Sequence, residues 1–267
     1  TRSLCDWSSD VCSSDLIIIF SEKTIEETEE VYVEKNIQEM SSSEVDRFLE
    51  EIKDLTEEEK LEKIVTSRIG TPYVGGCLGE ESGVDADPIF RLDVTDCTVF
   101  ILTTTALLNS SNIEEARDLM GSLNYYPAGS ISYEDRLHFT TYRNHVSPYF
   151  EEITEEIGAV ETKSVTLNKI KEDGKRLIDI DFEETIEIKY IPSLSREDEL
   201  PYIVGVAFLR DGDEEIGLDV RHEGVIINGE ELIHASINKG EVVREDLFQY
   251  LQTAGFDGLI IFKIKLL

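Results

Sequence analysis

The chain has 267 residues and a hydrophobic fraction of 40%, which suits one large domain with a real core. Aspartate and glutamate outnumber lysine and arginine by 57 to 25, so the formal net charge at pH 7 is −32. This charge argues against nucleic acid or an anionic membrane surface as a partner, because phosphate binding requires a basic face. The sequence contains no apolar run of the roughly 18 residues that an integral membrane segment needs.

Residues 1–40 differ from the rest of the chain. The segment CDWSSDVCSSDL at 5–16 matches one reading frame of a common sequencing adapter, so residues 1–16 are interpreted as an artefact and left out of the fold prediction. Residues 17–40 are expected to be a linker or the remnant of an export signal. The apolar run at 16–20 fits a truncated signal segment or a buried strand equally well, and it is too short to cross a membrane. The functional domain is predicted at 41–267.

Helical patterns precede strand patterns along this domain. Capping boxes that begin at Ser41, Thr56 and Ser111 predict three amphipathic helices, and an apolar helix is predicted at about 96–108. Strand patterns cover 185–191, 203–209, 224–227, 231–235 and 259–264, with one further helix predicted at 244–251. Helices first and antiparallel strands later indicate an α+β fold with segregated layers.

Cys97 opens the apolar helix, directly after Asp96. A thiol in the first turn of a helix meets unpaired N–H groups and the positive end of the helix dipole, and both favour the reactive thiolate. The same N–H groups can bind an oxyanion. A buried structural cysteine is the alternative from position alone. Cys77 lies in a loop with no such support. Of the four cysteines in the chain, two lie outside residues 1–16, and two are too few for a disulfide scaffold or a cysteine-rich zinc site.

Two histidines flank a predicted hairpin turn at Asn228-Gly229. A two-residue loop would pair Ile227 with Glu230 and place His222 and His234 on opposite faces of the sheet. A three-residue loop at 227–229 would pair Ile226 with Glu230 and place the two histidines directly across from each other. In the second register, they could serve as a base and the residue that orients it. A metal site at the two histidines is a third alternative. The sequence does not favour it, because no carboxylate lies at a suitable distance along the chain from the histidines.

Several short motifs follow one another along the domain. They stand in the order Gly70-Thr71-Pro72-Tyr73-Val74-Gly75-Gly76, Asp96-Cys97-Thr98-x-Phe100, Asn124-Tyr125-Tyr126, Asp135-Arg136-Leu137-His138-Phe139, Arg143-Asn144-His145, Phe150-Glu151-Glu152-Ile153-Thr154, Asp219-Val220-x-His222-x-Gly224 and Ile233-His234-Ala235-Ser236. The outer motifs resemble the NlpC-type hydrolases, which have a papain-like fold. The middle motifs and Thr98 resemble one branch of them, the N-acetylmuramoyl-L-alanine amidase-like family, from about residue 45 to the end.

The resemblance implies a papain-like NlpC-type fold, with the nucleophile helix packed on an antiparallel β-sheet or barrel. It also implies roles for six residues. Cys97 would be the nucleophile, His222 the base and His234 the residue that orients the base; Tyr73 would line the site, and Arg136 and His138 would hold the substrate. An alternative for Arg136 and His138 is a local salt-bridge network. His145 is expected to be structural.

The implied activity is hydrolysis of the amide between N-acetylmuramic acid and L-alanine in peptidoglycan fragments, with no cofactor or metal. A stem-peptide endopeptidase that cuts after D-glutamate is one alternative, and an inactive cell-wall binding module is another. The implied partner is a muropeptide, and the implied location is the periplasm or the extracellular space. The chain departs from the family pattern at Glu223, where a small apolar residue is usual, and at Gly205-Val206, where Gly-Asp is common.

Overall fold

Polar side chains mark where the first helices begin. The structure is a computed structural model, which describes residues 35–78 and 89–267. At Ser41 and at Thr56 both halves of the predicted capping box are present. The Thr56 hydroxyl accepts a hydrogen bond from the Glu59 backbone N–H at 3.3 Å, which satisfies one of the amides that a helix start leaves free. The first two helix predictions are therefore confirmed.

The described residues contain seven α-helices: α1 (Ser42–Ile52), α2 (Glu57–Ser67), α3 (Cys97–Leu108), α4 (Ile113–Leu123), α5 (Thr140–Val146), α6 (Thr154–Ile157) and α7 (Leu247–Ala254). The cap of α4 is Asn112 and not Ser111, because the Asn112 side chain accepts a hydrogen bond from the Glu115 N–H at 3.0 Å. The helix predicted at 244–251 starts later than expected. Residues 244–246 continue a strand, and Asp246 caps α7 through the Gln249 N–H at 2.8 Å.

Eight strands are found in the same residues: β1 (Phe150–Glu152), β2 (Glu161–Leu167), β3 (Glu184–Tyr190), β4 (Ile203–Leu209), β5 (His222–Ile227), β6 (Glu231–Ser236), β7 (Glu241–Asp246) and β8 (Gly258–Ile264). Six of them form an antiparallel sheet in the order β1-β8-β4-β5-β6-β7. β2 and β3 pair as a separate antiparallel ribbon. The predicted α+β class with antiparallel strands is confirmed.

The apolar helix α3 lies against the middle of the large sheet. Its residues from Val99 to Leu108 are all buried, and it packs on β5 and β6 as well as on α2 and α4. A helix that is apolar on every side needs such cover, because no face of it can be left to solvent at low cost. This packing places the N-terminal end of α3, where Cys97 lies, beside the two strands that carry His222 and His234.

The N-terminal predictions fall mainly on residues that the structure does not describe. The artefact at 1–16 and most of the linker or export remnant at 17–40 lie outside the described residues. Of the remainder, Ile37 is 1% exposed, lies in a short 3-10 helix (Ile37–Glu39) and packs in the core. Among the described residues, no helix has both the length and the apolar character that a membrane crossing requires.

Candidate active site

Asp96 fixes the start of α3 and therefore the position of Cys97. Its carboxylate accepts hydrogen bonds from the Val99 N–H at 2.8 Å and from the Gly76 N–H at 3.1 Å. The first bond caps the helix, and the second ties the preceding loop to it. Cys97 itself is half-buried and has no disulfide partner. Its N–H belongs to the first turn, where amides have no acceptor within the helix.

Burial raises the pKa of the Cys97 thiol to about 12, and the charges of Asp96 and Glu223 add to the effect. Hydrogen bonds from the Glu223 backbone N–H and the Thr98 hydroxyl lower the pKa by less. These effects oppose the thiolate that the helix position predicts. The reason is that the carboxylate capping the helix opposes the positive helix end, and the low-dielectric surroundings disfavour the charged sulfur.

The two histidines lie on one face of the β5–β6 hairpin, in a register that differs from both predictions. Ile227 pairs with Glu231, and Val225 pairs with Ile233, so the loop is 228–230. Continued by one residue along each strand, this register places Gly224 opposite His234. His222 then lies diagonally across from His234 on the same face of the sheet. His222 Nε2 and His234 Nδ1 are 2.6 Å apart, so the diagonal pair still forms a hydrogen bond.

A carboxylate extends this pair on the next strand. Glu245 on β7 lies diagonal to His234, because His234 pairs directly with Val243. His234 Nε2 is 2.8 Å from Glu245 Oε2. Glu245 was not predicted from the sequence. Its proximity to His234 can be inferred only when the register between β6 and β7 is known. The turn signal Asn238-Lys239-Gly240, with Gly240 at φ +78°, could have supplied that register.

The chain of hydrogen bonds sets the tautomers of both rings. An ionised Glu245 can only accept, so His234 Nε2 carries a proton and, in the neutral ring, His234 Nδ1 accepts from His222 Nε2. The remaining lone pair of His222 is then on Nδ1. Burial, followed by the neighbouring His234, lowers the pKa of His222 to about 3. Burial also lowers the pKa of His234, while Glu245 opposes that shift. Both rings are neutral at pH 7.

Aromatic rings hold the histidines in place. Phe208 and Phe256 stack on the His222 ring at centroid distances of 5.7 and 6.3 Å. The Tyr250 ring meets His234 edge-on at 4.7 Å. Burial, followed by the charge of Glu245, raises the pKa of Tyr250, so its hydroxyl stays protonated. These contacts leave the two rings little freedom to rotate.

Cys97, His222, His234 and Glu245 line one cavity of about 670 Å³. Tyr73 lines it too; its backbone N–H donates to the Gly240 carbonyl at 2.8 Å, beside the β6–β7 turn. Burial raises the pKa of the Tyr73 phenol to about 12, and the Asp96 charge adds to the effect. Four of the six predicted site residues are thus brought together: Cys97, His222, His234 and Tyr73.

Arg136 and His138 lie apart from this group, in the lining of a second cavity of about 180 Å³. Arg136 donates to the Leu78 carbonyl at 2.9 Å, and His138 Nε2 lies 2.8 Å from the Tyr133 carbonyl oxygen. Burial lowers the pKa of His138 to about 4. Their predicted contact with substrate stays a prediction. His145 is exposed near the end of α5.

A buried ion pair lies beside the start of α3, where Cys97 is located. Arg143 Nη2 donates to Glu223 Oε1 at 2.6 Å, with the two side chains 0% and 1% exposed. Glu223 Oε2 also accepts from the Thr98 hydroxyl at 3.1 Å. Glu223 follows His222, and Thr98 follows Cys97, so this carboxylate connects the strand of one with the helix of the other. It accounts for a charged residue at a position where the family usually has a small apolar one.

Among the described residues, no group of three or more His, Cys, Asp or Glu side chains is arranged to hold a metal ion. The two histidines of the cavity are instead linked to each other and to Glu245 by hydrogen bonds.

Comparison with known families places this site in context. The family model named AmiA-like, described as N-acetylmuramoyl-L-alanine amidase-like, matches residues 63–258, which include the four clustered residues and Glu245. The chain belongs to this N-acetylmuramoyl-L-alanine amidase-like family. No curated protein sequence matches the chain.

Solved structures share the fold at low sequence identity. A Legionella pneumophila protein of the family model DUF1460 has a TM-score of 0.69 at 23% identity, covering 84% of this chain and 94% of that one. An N-acetylmuramoyl-L-alanine amidase from Bacteroides uniformis has a TM-score of 0.64 at 19% identity, covering 78% and 99%. A Bacteroides fragilis protein provisionally named a xylanase has a TM-score of 0.60 at 20% identity, covering 75% and 98%. Such likeness shows the fold alone, so function must be argued from the site.

Proposed function

We propose that this protein is a cysteine-dependent amidase that hydrolyses the bond between N-acetylmuramic acid and L-alanine in peptidoglycan fragments, within a papain-like NlpC-type fold. The observation that carries the proposal is the single cavity shared by Cys97, His222 and His234, in a chain of the amidase-like family. A sulfur nucleophile, an imidazole base and a second polar group that orients the base are the parts that covalent amide hydrolysis requires.

The proposed reaction starts from a neutral thiol and a neutral imidazole. His222 Nδ1 takes the proton of Cys97 as the sulfur attacks the amide carbonyl. The oxyanion is stabilised by the Cys97 N–H at the start of α3 and by the protonated phenol of Tyr73. The protonated His222 then gives its proton to the departing L-alanine nitrogen, and the C–N bond breaks. A muramoyl thioester on Cys97 remains.

Water completes the cycle. His222 removes a proton from the attacking water, and the second tetrahedral intermediate expels the Cys97 sulfur, which recovers a proton from His222. In both halves of the reaction the positive charge that develops on His222 faces His234, which is backed by the Glu245 carboxylate. We assign His234 the orientation of the base, and Glu245 the stabilisation of that charge. Because peptidoglycan lies outside the plasma membrane, we also propose that the natural protein is exported.

The test is product analysis of defined muropeptides by mass spectrometry. Release of an intact stem peptide that begins with L-alanine, absent in the Cys97→Ala chain, is the expected result. Cleavage inside the stem after D-glutamate would replace the proposal with an endopeptidase. No cleavage of any muropeptide by the wild-type chain would make the protein a binding module.

A further inference from the structure

The charge of the Cys97 cavity is opposite to that of the protein. The chain carries 57 acidic and 25 basic residues, yet three exposed cations line the cavity, namely Arg210, Arg221 and Lys239. The acidic side chain in its lining is Glu245, and Glu245 is already bonded to His234. A locally positive cavity on an acidic surface attracts anions and repels cations at short range, within the screening length of the solution.

Two of these cations, Arg210 and Lys239, have N–H groups that are not used in hydrogen bonds within the described residues. Arg221 is not one of them, because its Nε donates to Asp213 at 2.8 Å and its Nη2 bonds the same carboxylate. Arg210 gives one hydrogen bond, from Nη2 to the Ala254 carbonyl at 2.9 Å, and its guanidinium lies 5.3 Å from the Phe256 ring centroid. For the Lys239 ammonium, the described residues contain no partner.

The positions of Arg210 and Lys239 relate them to the nucleophile. Arg210 directly follows β4 and packs on the aromatic group that holds His222. Lys239 lies in the β6–β7 turn, next to Gly240, whose carbonyl anchors Tyr73. Both side chains therefore border the volume in which a substrate would lie when its amide carbonyl meets Cys97. A guanidinium can donate two parallel hydrogen bonds to the two oxygens of a carboxylate, and an ammonium binds a carboxylate as a point charge.

We propose that Arg210 and Lys239 form a carboxylate-binding subsite of the Cys97 cavity, which selects acidic peptides over their neutral amides. The proposal rests on the proposed amidase function and goes further by naming the chemical class of substrate and the residues that select it. It also differs from the sequence prediction, which gave substrate binding to Arg136 and His138 in the second cavity.

The test measures binding separately from turnover. The probes are N-acetylmuramoyl-L-alanyl-D-glutamate, with two free carboxylates, and its diamide. Their dissociation constants are measured by titration calorimetry on the full chain carrying Cys97→Ala, which prevents cleavage. We expect the diacid to bind about tenfold more tightly than the diamide, with a preference that weakens as salt is added. Adding Arg210→Gln or Lys239→Gln should each weaken diacid binding about threefold and leave diamide binding unchanged.

Two control variants separate charge from structure. Arg210→Lys keeps the charge and should retain most of the preference for the diacid. Lys175→Gln removes an exposed lysine between β2 and β3 that does not line the cavity, and it should change nothing. Circular dichroism verifies that each variant is folded.

Equal binding of diacid and diamide, no binding of the diacid, or an unchanged preference in the double Gln variant would each overturn the subsite. Wild-type cleavage of the diacid is measured in parallel. Cleavage without preference would remove the subsite and keep the amidase. A preference for binding the diacid without any cleavage would keep the subsite and remove the amidase.

Discussion

At the residue scale, the chemistry depends on the resting state of Cys97 and His222. With the thiol pKa raised to about 12 and the His222 pKa lowered to about 3, neither group is charged at neutral pH. The alternative, a thiolate beside an imidazolium, would require the sulfur to lose its proton in a setting where Asp96 and Glu223 oppose the charge. In the proposed mechanism the proton therefore moves from Cys97 to His222 during the attack and not before it.

This gives a prediction for alkylation of Cys97 by iodoacetamide, followed by peptide mass spectrometry so that each cysteine is read separately. Because only the thiolate reacts, the rate at Cys97 should rise about tenfold per pH unit from pH 6 to 9. His222→Ala should leave this dependence intact. A rate that is the same at pH 5 and pH 8, and that His222→Ala abolishes, would instead reveal a preformed ion pair.

Glu245 is the second residue whose role can be tested alone. In the proposed mechanism its carboxylate stabilises the positive charge that forms on the histidine pair, so Glu245→Gln should lower kcat at least about tenfold with KM nearly unchanged. Glu241→Gln is the matched control, because Glu241 is an exposed carboxylate on the same strand. Steady-state kinetics of both variants measure kcat and KM and so test the role of Glu245. A Glu245→Gln chain with wild-type kcat, or an equal loss in the control, would remove Glu245 from the mechanism.

At the scale of elements, the β5–β6 hairpin shows what the sequence could and could not predict. Asn228-Gly229 located the turn, and Asn228 and Gly229 do have positive φ values of 55° and 67°. The register was missed because Glu230 joins the loop, which a pattern of alternating residues cannot reveal. The two histidines meet nevertheless, since a shift of two residues keeps both on one face.

The same comparison holds for the other elements. Capping boxes and apolar runs predicted α1, α2, α3 and most strands of the large sheet, because those signals are local. The short strand β1 was missed because it pairs with β8, which is distant in sequence. The strand β7 was missed because part of it was assigned to the helix that follows it. For the candidate site, Cys97, His222, His234 and Tyr73 were found through motifs. Glu245, Arg210 and Lys239 were not, because only the folded sheet brings them to the cavity.

Gly224 tests the packing of this hairpin. A Cβ at Gly224 would lie 2.9 Å from Leu232 Cδ1, 3.0 Å from His234 Cβ and 3.1 Å from the Ile233 carbonyl oxygen. Gly224→Ala should therefore destabilise the fold by about 1–3 kcal/mol and displace His234, with a loss of activity. Gly158→Ala is the control, because nothing lies within 4 Å of a Cβ there. Urea unfolding and activity are measured together. An unaffected Gly224→Ala chain would show that the hairpin has more room than these distances allow.

At the scale of the whole molecule, the buried pair of Arg143 and Glu223 links three elements: α5, β5 and, through Thr98, α3. Two charges taken out of water are costly, but each is bonded, and Arg143 also bonds Asn144 Oδ1 at 2.9 Å and lies over the Phe150 ring. Removing one partner should therefore destabilise the fold more than removing both, because the remaining charge would stay buried without a partner.

Glu223→Leu should lower the free energy of unfolding by about 3–5 kcal/mol. The double variant Arg143→Met/Glu223→Leu should recover a large part of that loss. The exposed pair of Arg117 and Glu114 provides the control, since Glu114→Gln should change stability by less than about 0.5 kcal/mol. Urea denaturation measures all three. If the double variant is less stable than Glu223→Leu alone, the pair contributes a favourable energy of its own and this reasoning about isolated charge fails.

The proposed cysteine amidase mechanism is tested most directly by looking for the acyl group that Cys97 would carry during turnover. The chain is mixed with an N-acetylmuramoyl tripeptide, in which a third residue follows L-alanine and D-glutamate, then quenched in acid and digested, and the peptide that contains Cys97 is weighed by mass spectrometry. We predict a muramoyl thioester on Cys97 in the wild-type chain, with neither adduct nor turnover in the Cys97→Ala chain. A peptidyl adduct on Cys97, or undiminished turnover after Cys97→Ala, would contradict the assignment of this chain as a cysteine amidase.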